Sequence, residues 1–317
     1  MFLGIEIGGT KLQLGVGPDD GKLRGLWRGT VDVSAGPEGI RRQIVAAVPD
    51  LLVEAGIERG ELRGVGIGFG GPVDDATHTV IKSHQIEGWD NFPLAEWISE
   101  VVGLPAVLGN DADVAGLAEA LHGAGKGLSP IFYITIGSGI GGGFIINGDI
   151  YRGCGRGAAE IGHLLVFAPE GMPEYRPVEA LASGWGIENN ARLFFKENSE
   201  KESSLQRLAK AGAAISVQHI AEAAGQGDKT ARALLRTPLV YLADAICHVI
   251  TLLCPRRIVI GGGVSLVGEK LLFKPLRRFV RERVFKPFAG LTDIVPAALG
   301  EEVVVHGAIA LARKRFG

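Results

Sequence analysis

Two stretches of this chain repeat one layout: an apolar run, a tight glycine turn and a second apolar run. The first is LGIEIGGTKLQLGVG at residues 3–17, and the second is IFYITIGSGIGGGFIINGDI at 131–150, roughly 130 residues later. In the first, Ile5 and Ile7 precede the turn and Leu12, Leu14 and Val16 follow it, so apolar side chains recur with period two. Period-two alternation about a glycine turn predicts a β-hairpin. The echo suggests two related halves, each contributing a hairpin to a shared cleft.

Between and after the hairpins the pattern changes period. GIRRQIVAAVPDLLVEAGI (39–57), LAEWISEVVG (94–103) and DADVAGLAEALHGAG (111–125) carry apolar residues at helical spacing. LRGVGIGFGGPVD (62–74) and PAVLGND (105–111) read as buried strands. Residues 204–254 read as largely helical, with Pro238 expected to kink or break the run. RRIVIGGGVS (256–265) is a third strand entering a glycine loop, and 306–316 is a closing helix. Strands alternating with helices define an α/β chain with partly parallel sheets.

At 317 residues and 46% hydrophobic, the chain has material for two lobes. A net charge of −2 lacks the one-sided charge that nucleic acid or an anionic membrane attracts, so neither partner is expected. The apolar run 131–150 is long enough to span a bilayer, but its glycines and Asn-Gly turn fit a hairpin instead. No signal-peptide pattern opens the sequence, and Cys247 and Cys254 share one helical face as expected buried thiols. The expectation is a cytoplasmic protein with reduced cysteines.

Glycine makes up 48 residues, clustered in pairs and triplets at loops. The turns at 8–11, 137–143 and 261–263 each follow a β-rich run, and a nucleoside triphosphate gripped by two hairpins would account for all three. Each also reads as an ordinary turn. Gly137, Gly139 and Gly142 fit the G-x-G-x-x-G spacing, but a strand follows where a dinucleotide site needs a helix, which excludes that reading. Asn110 and Asp111 sit where strand gives way to helix. They suit a plain N-cap, and equally a carboxylate kept ionised by the helix dipole and poised to accept a hydroxyl proton. Glu160 and His163 in GAAEIGH, with Glu179 in RPVEALASG, offer acceptors and an imidazole suited to sugar hydroxyls.

IEIGGTK, GIGFGGPVD, GNDADVAGLAEALHGAGKG, ITIGSGIGGGFIINGDIYRG, GAAEIGH, EALASG and IVIGGGVS occur in the order found in the ROK family, which the chain resembles over nearly its whole length. The resemblance implies a two-lobed actin-like ATPase (ribonuclease H-like) fold with a central cleft. Lobe one would be 1–115 completed by 301–317, and lobe two 116–300. It implies ATP- and Mg2+-dependent phosphorylation of a hexose or N-acetylhexosamine, glucokinase-like, with Asp111 as the base that activates the C6 hydroxyl. Gly71, Asn110, Glu160, His163 and Glu179 would hold the monosaccharide. Gly8, Gly9, Thr10, Lys11, Gly137, Ser138 and Gly139 would line the ATP phosphates, with Gly262 near the nucleoside. A homodimer is also implied. Three departures stand out. Glu6 replaces the family's usual Asp, an acid associated with the magnesium shell. Gln85 stands where Asn is common. The cysteines of the family's zinc motif are missing from 163–179, so no zinc is expected. Glu6 and the missing zinc motif leave a weakened or non-catalytic sugar-binding protein as the alternative. A regulator of the same family would carry an N-terminal helix-turn-helix, which this sequence does not display before its first hairpin.

Overall fold

The computed structural model describes all residues except 84–85, 156, 169–173, 199–203, 211 and 213; Gln85 therefore lies outside the described residues. The chain forms two compact units. One comprises Met1–Tyr133, Gly143–Ala159 and Ala297–Gly317, and the other Ile134–Gly142 and Glu160–Pro296.

In the first unit, β1 (Phe2–Ile7), β2 (Lys11–Gly17) and β3 (Gly25–Thr30) form an antiparallel meander. Helix α1 (Gly36–Ala55) ends at Gly56, a left-handed C-cap whose N–H bonds back to Leu52. β4 (Val65–Phe69) then pairs parallel to β1. A small hairpin of β5 (Val73–Asp74) and β6 (Thr79–Val80) leads to α2 (Leu94–Val102), and β7 (Ala106–Asn110) adds parallel to β4. The sheet order is β3-β2-β1-β4-β7. Helix α3 (Asp111–Leu121) follows β7 directly, so the boundary expected between 115 and 116 falls inside a helix.

β1 is buried along its whole length because this sheet is covered on both faces. Leu3, Ile5 and Ile7 join the core with Ile40, Ile44 and Leu51 of α1. The alternate positions, Gly4 and Glu6, lie on the side of the C-terminal helix (Val303–Phe316), where a side chain at Gly4 would begin 2.6 Å from the Val305 carbonyl. Glycine there is a packing requirement. Cβ atoms at Gly66 and Gly307 would overlap the backbone carbonyls of Ala308 and Val114, so the C-terminal helix meets β4 and α3 backbone to backbone.

The run expected as a membrane-length hairpin is β8 (Ile131–Ile136) and β9 (Ile140–Ile146), followed by β10 (Asp149–Ile150). β11 (Leu165–Ala168) and β12 (Glu174–Pro177) pair antiparallel. Helices α4 (Val178–Ala182), α5 (Gly184–Glu197), α6 (Ser204–Lys210), α7 (Val217–Gly225) and α8 (Lys229–Leu253) come next. β13 (Arg257–Gly261), α9 (Lys274–Arg283) and β14 (Asp293–Pro296) follow, and the second five-stranded sheet has the order β10-β9-β8-β13-β14.

Of the kink or break expected at Pro238, a break does not occur, since α8 runs through it. The helices divide instead where caps are available. Ser216 accepts the N–H of His219 to start α7, and Asp228 accepts that of Ala231 to start α8. Packing of α8 against α4, α5, α7, α9 and β11 offsets the hydrogen bond that proline cannot make. α8 is also long and apolar enough to cross a membrane, but most of it is buried inside this unit.

Gly66→Ala should lower the free energy of unfolding by about 1–3 kcal/mol through overpacking against the C-terminal helix. The measurement is the urea midpoint at constant slope. Gly60→Ala, where none of the described residues lies within 4 Å of a new Cβ, should not lower the midpoint.

Candidate active site

In the first unit the β1–β2 turn closes with the Gly8 N–H on the Lys11 carbonyl, at 3.0 Å. The N–H groups of Gly9 and Thr10 have no acceptor among the described residues. Free N–H groups in a glycine turn form an anion-binding concavity. Lys11 turns back from this tip. Its ammonium pairs with Glu6 Oε1 at 3.2 Å and donates to the Glu301 carbonyl at 3.1 Å.

Glu6 is the chemical outlier of β1. It is 6% exposed, and among the described residues its second oxygen, Oε2, has no hydrogen-bond partner. Burial is the main cause that pushes its pKa up to about 7; the Lys11 ammonium opposes the rise, and the charges of Asp111 and Glu301 add to it.

Two loops converge on the same place. Gly70 donates its N–H to the Ile7 carbonyl at 2.9 Å. A side chain at Gly70 would begin 3.5 Å from Asp111 Oδ2 and 3.7 Å from Gly8 Cα. Asn110 makes the strand-to-helix corner: its Oδ1 accepts the N–H groups of Ala112 (2.9 Å) and Asp113 (3.3 Å). Its Nδ2 donates to the Gly71 carbonyl at 3.0 Å. The N-cap expected from sequence is therefore present, and it ties Gly71 to the start of α3. Asp111 stands in the first turn of α3, with Oδ1 accepting from the Ala112 N–H at 2.8 Å. The structure thus gathers Glu6, Gly8, Lys11, Gly71, Asn110 and Asp111 within one unit.

The second unit gathers the others. The β8–β9 turn closes from Gly137 N–H to the Gly139 carbonyl at 2.9 Å, and the N–H groups of Ser138 and Gly139 have no acceptor among the described residues. Glu179, in the first turn of α4, accepts the Ile140 N–H on Oε2 at 2.7 Å. A Cβ on Gly139 would begin 2.4 Å from Glu179 Oε2, so a side chain there would displace that carboxylate from the Ile140 N–H. Glu160 precedes a single 3-10 turn, Ile161–His163, and His163 is its last residue; both are exposed, and the turn packs on α4. Among the described residues the His163 ring has no hydrogen-bond partner. Gly262 has φ +82°, and a side chain there would begin 2.6 Å from Ile136 backbone atoms. Gly262 thereby lies against the end of β8, beside the second hairpin.

Among the described residues no three His, Cys, Asp or Glu side chains cluster as a metal site. Sequence reasoning missed one contact across the first hairpin, Glu6 with Lys11, and two that join distant segments, Lys11 with the Glu301 carbonyl and Glu179 with Ile140. The one available signal was a lone acid in an otherwise apolar strand.

The ROK family pattern matches residues 2–315. The chain belongs to the ROK family. This ROK protein is 33% identical over 323 residues to a glucokinase of Thermotoga maritima, covering all of this chain and 98% of that one. It is 32% identical over 316 residues to an N-acetylmannosamine kinase of Escherichia coli, covering 98% of each. A solved ROK family glucokinase from Streptomyces griseus, in complex with glucose and AMPPNP, superposes with a TM-score of 0.78 at 31% identity and 99% coverage of both chains. The α/β architecture of this ROK protein is the two-lobed actin-like ATPase fold.

The raised pKa of Glu6 has a defined sign for stability. The folded chain holds the Glu6 proton up to about pH 7, whereas an ordinary glutamate releases it near 4.5. The contribution favouring folding is complete below about pH 4.5 and is lost as pH rises through 7. Glu6→Gln should therefore gain stability relative to the parent between pH 5 and pH 8, by up to about 3 kcal/mol. Urea unfolding at a series of pH values measures this difference.

Proposed function

We propose that this ROK protein is a sugar kinase that transfers the terminal phosphoryl group of ATP to a hexose or N-acetylhexosamine, at the C6 hydroxyl. The observation that carries the reading is Asp111, held at the start of α3 by the Asn110 cap and adjoining the Gly8–Lys11 turn, whose Gly9 and Thr10 N–H groups have no acceptor among the described residues. The kinase relatives support the same chemistry, and the glucose and AMPPNP bound by the Streptomyces griseus enzyme support a sugar acceptor and ATP as donor.

In this reading Asp111 accepts the proton of the attacking hydroxyl, a role worth roughly 10²–10⁴-fold. The tips of the two glycine hairpins, Gly8–Lys11 and Gly137–Gly139, hold phosphate oxygens through backbone N–H groups. Positioning and charge neutralisation do the rest in phosphoryl transfer. Lys11 reaches the phosphates by leaving Glu6. Asn110, Gly71, Glu160, His163 and Glu179 recognise the sugar hydroxyls. Glu179 also braces the second hairpin, so sugar recognition and phosphate binding share a residue.

Mg2+ fits the first unit. Glu6 presents a buried carboxylate oxygen with no partner, with the Asp111 charge near it. One or two carboxylates plus substrate phosphates are the usual donors for this hard cation. Glu6, with Asp111, would hold it, and it would supply neutralisation of the phosphate charge. The cation would also replace the proton on Glu6 and free Lys11 for the nucleotide. A cytoplasmic homodimer without structural zinc completes the proposal.

A coupled ADP-release assay across a panel of hexoses and N-acetylhexosamines tests the activity. Sugar binding without ADP release would return the chain to the sugar-binding alternative. Asp111→Asn keeps the Asn110 cap and a side-chain Oδ1 able to accept the Ala112 N–H. It should leave the fold and sugar affinity intact and cut turnover at least a hundredfold. Near-parental turnover would leave Asp111 a structural first-turn acceptor only. Elemental analysis should find no zinc, and EDTA should leave the thermal midpoint unchanged.

A further inference from the structure

Trp185 is the one tryptophan of four that stands mostly in solvent, 61% exposed; Trp89 is buried, and Trp27 and Trp97 are half-buried. A single exposed apolar side chain is ordinary. Its attachment is not. The Trp185 N–H donates to the Ser138 carbonyl at 3.4 Å, and the preceding Gly184 N–H donates to the Gly137 carbonyl at 2.8 Å. A side chain at Gly184 would begin 2.8 Å from that same carbonyl and 3.7 Å from Val264, in the turn that follows Gly262. Ser183 accepts the Gly186 N–H at 3.1 Å and so sets the direction in which α5 leaves the hairpin. Three separate loops therefore meet at Gly184, and the next residue is an indole on a rigid helix start, hung on the tip of a phosphate hairpin. Among the described residues, nothing lies within 4 Å of the position a Cβ would take at Gly137.

We propose that Trp185 stacks on the purine of the bound nucleoside triphosphate. The proposal rests on the phosphoryl-donor reading above. A phosphate tail on the Gly137–Gly139 N–H groups leaves its nucleoside to be bound within the same unit, where Gly262 abuts the end of β8. Trp185 supplies there an aromatic face already exposed to water. Stacking on such a face needs no hydrogen-bond pattern from the base. Because the backbone of residue 185 is tied to the hairpin, less of the chain has to be ordered when nucleotide binds.

The test is a titration with AMPPNP and, separately, with tripolyphosphate, which carries phosphates without a purine. Tryptophan fluorescence and calorimetry are read for the parent, Trp185→Phe and Trp185→Ala. AMPPNP should quench the parent emission. Trp185→Phe should lose the quench and keep its affinity within about twofold. Trp185→Ala should bind AMPPNP about tenfold more weakly, with tripolyphosphate affinity and circular dichroism unchanged. Unchanged AMPPNP affinity in Trp185→Ala overturns the proposal, and so does an equal loss for tripolyphosphate, which would mean that the indole supports the hairpin. AMPPNP failing to bind the parent would remove the donor reading together with this one; binding that ignores Trp185 removes this one alone.

Discussion

The backbone-to-backbone contact of the C-terminal helix with β4 and α3 is the constraint on which the first unit depends. At Gly66 and Gly307 no side chain separates the elements. Their spacing is consequently set by main chain rather than by deformable side chains. Glu119 of α3 reinforces the arrangement: it is fully buried, its Oε1 accepts the N–H groups of Ala298 and Leu299, each at 2.9 Å, and its Oε2 that of Ala124 at 2.7 Å. The segment entering the C-terminal helix is thus pinned to the far end of the helix that begins with Asp111. Interiors packed this closely transmit displacement instead of absorbing it.

That packing explains the electrostatics of the site. β1 lies under helices on both faces, so a carboxylate at its inner position 6 loses most of its hydration. Lys11, across the hairpin, compensates one oxygen and not the other. An uncompensated buried carboxylate oxygen is costly unless a cation or proton is supplied. The cost is localised beside Asp111, at the place where phosphate charge is proposed to arrive. The second unit meets the same need differently. Its hairpin is braced by Glu179 on the Ile140 N–H, and Gly139 leaves room for that carboxylate.

Much of this was legible along the chain because it depends on neighbours in sequence. Both hairpins follow from period-two alternation about glycine, and the Asn110 cap follows from an amide placed where a strand meets a helix. The positions that sequence reasoning left unassigned, or placed wrongly, depend on packing. Pro238 lies within a continuous helix because five elements hold α8 in place. The boundary between units falls elsewhere than expected because the contacts of α3 with the C-terminal helix, nearly 200 residues away, keep the whole of α3 in the first unit.

The sequence by itself determined the glycine turns, the strand-to-helix corner at Asn110 and Asp111, and the family to which the chain belongs, since each is a local pattern of residue type and spacing. Only the tertiary structure decided that Lys11 turns back to Glu6, that Glu6 keeps its proton to about pH 7, and that Glu179 braces the Gly137–Gly139 turn. Those outcomes depend on how much water is excluded and on which distant backbone groups are brought within hydrogen-bond reach. Neither quantity is written in the spacing of residues along a chain.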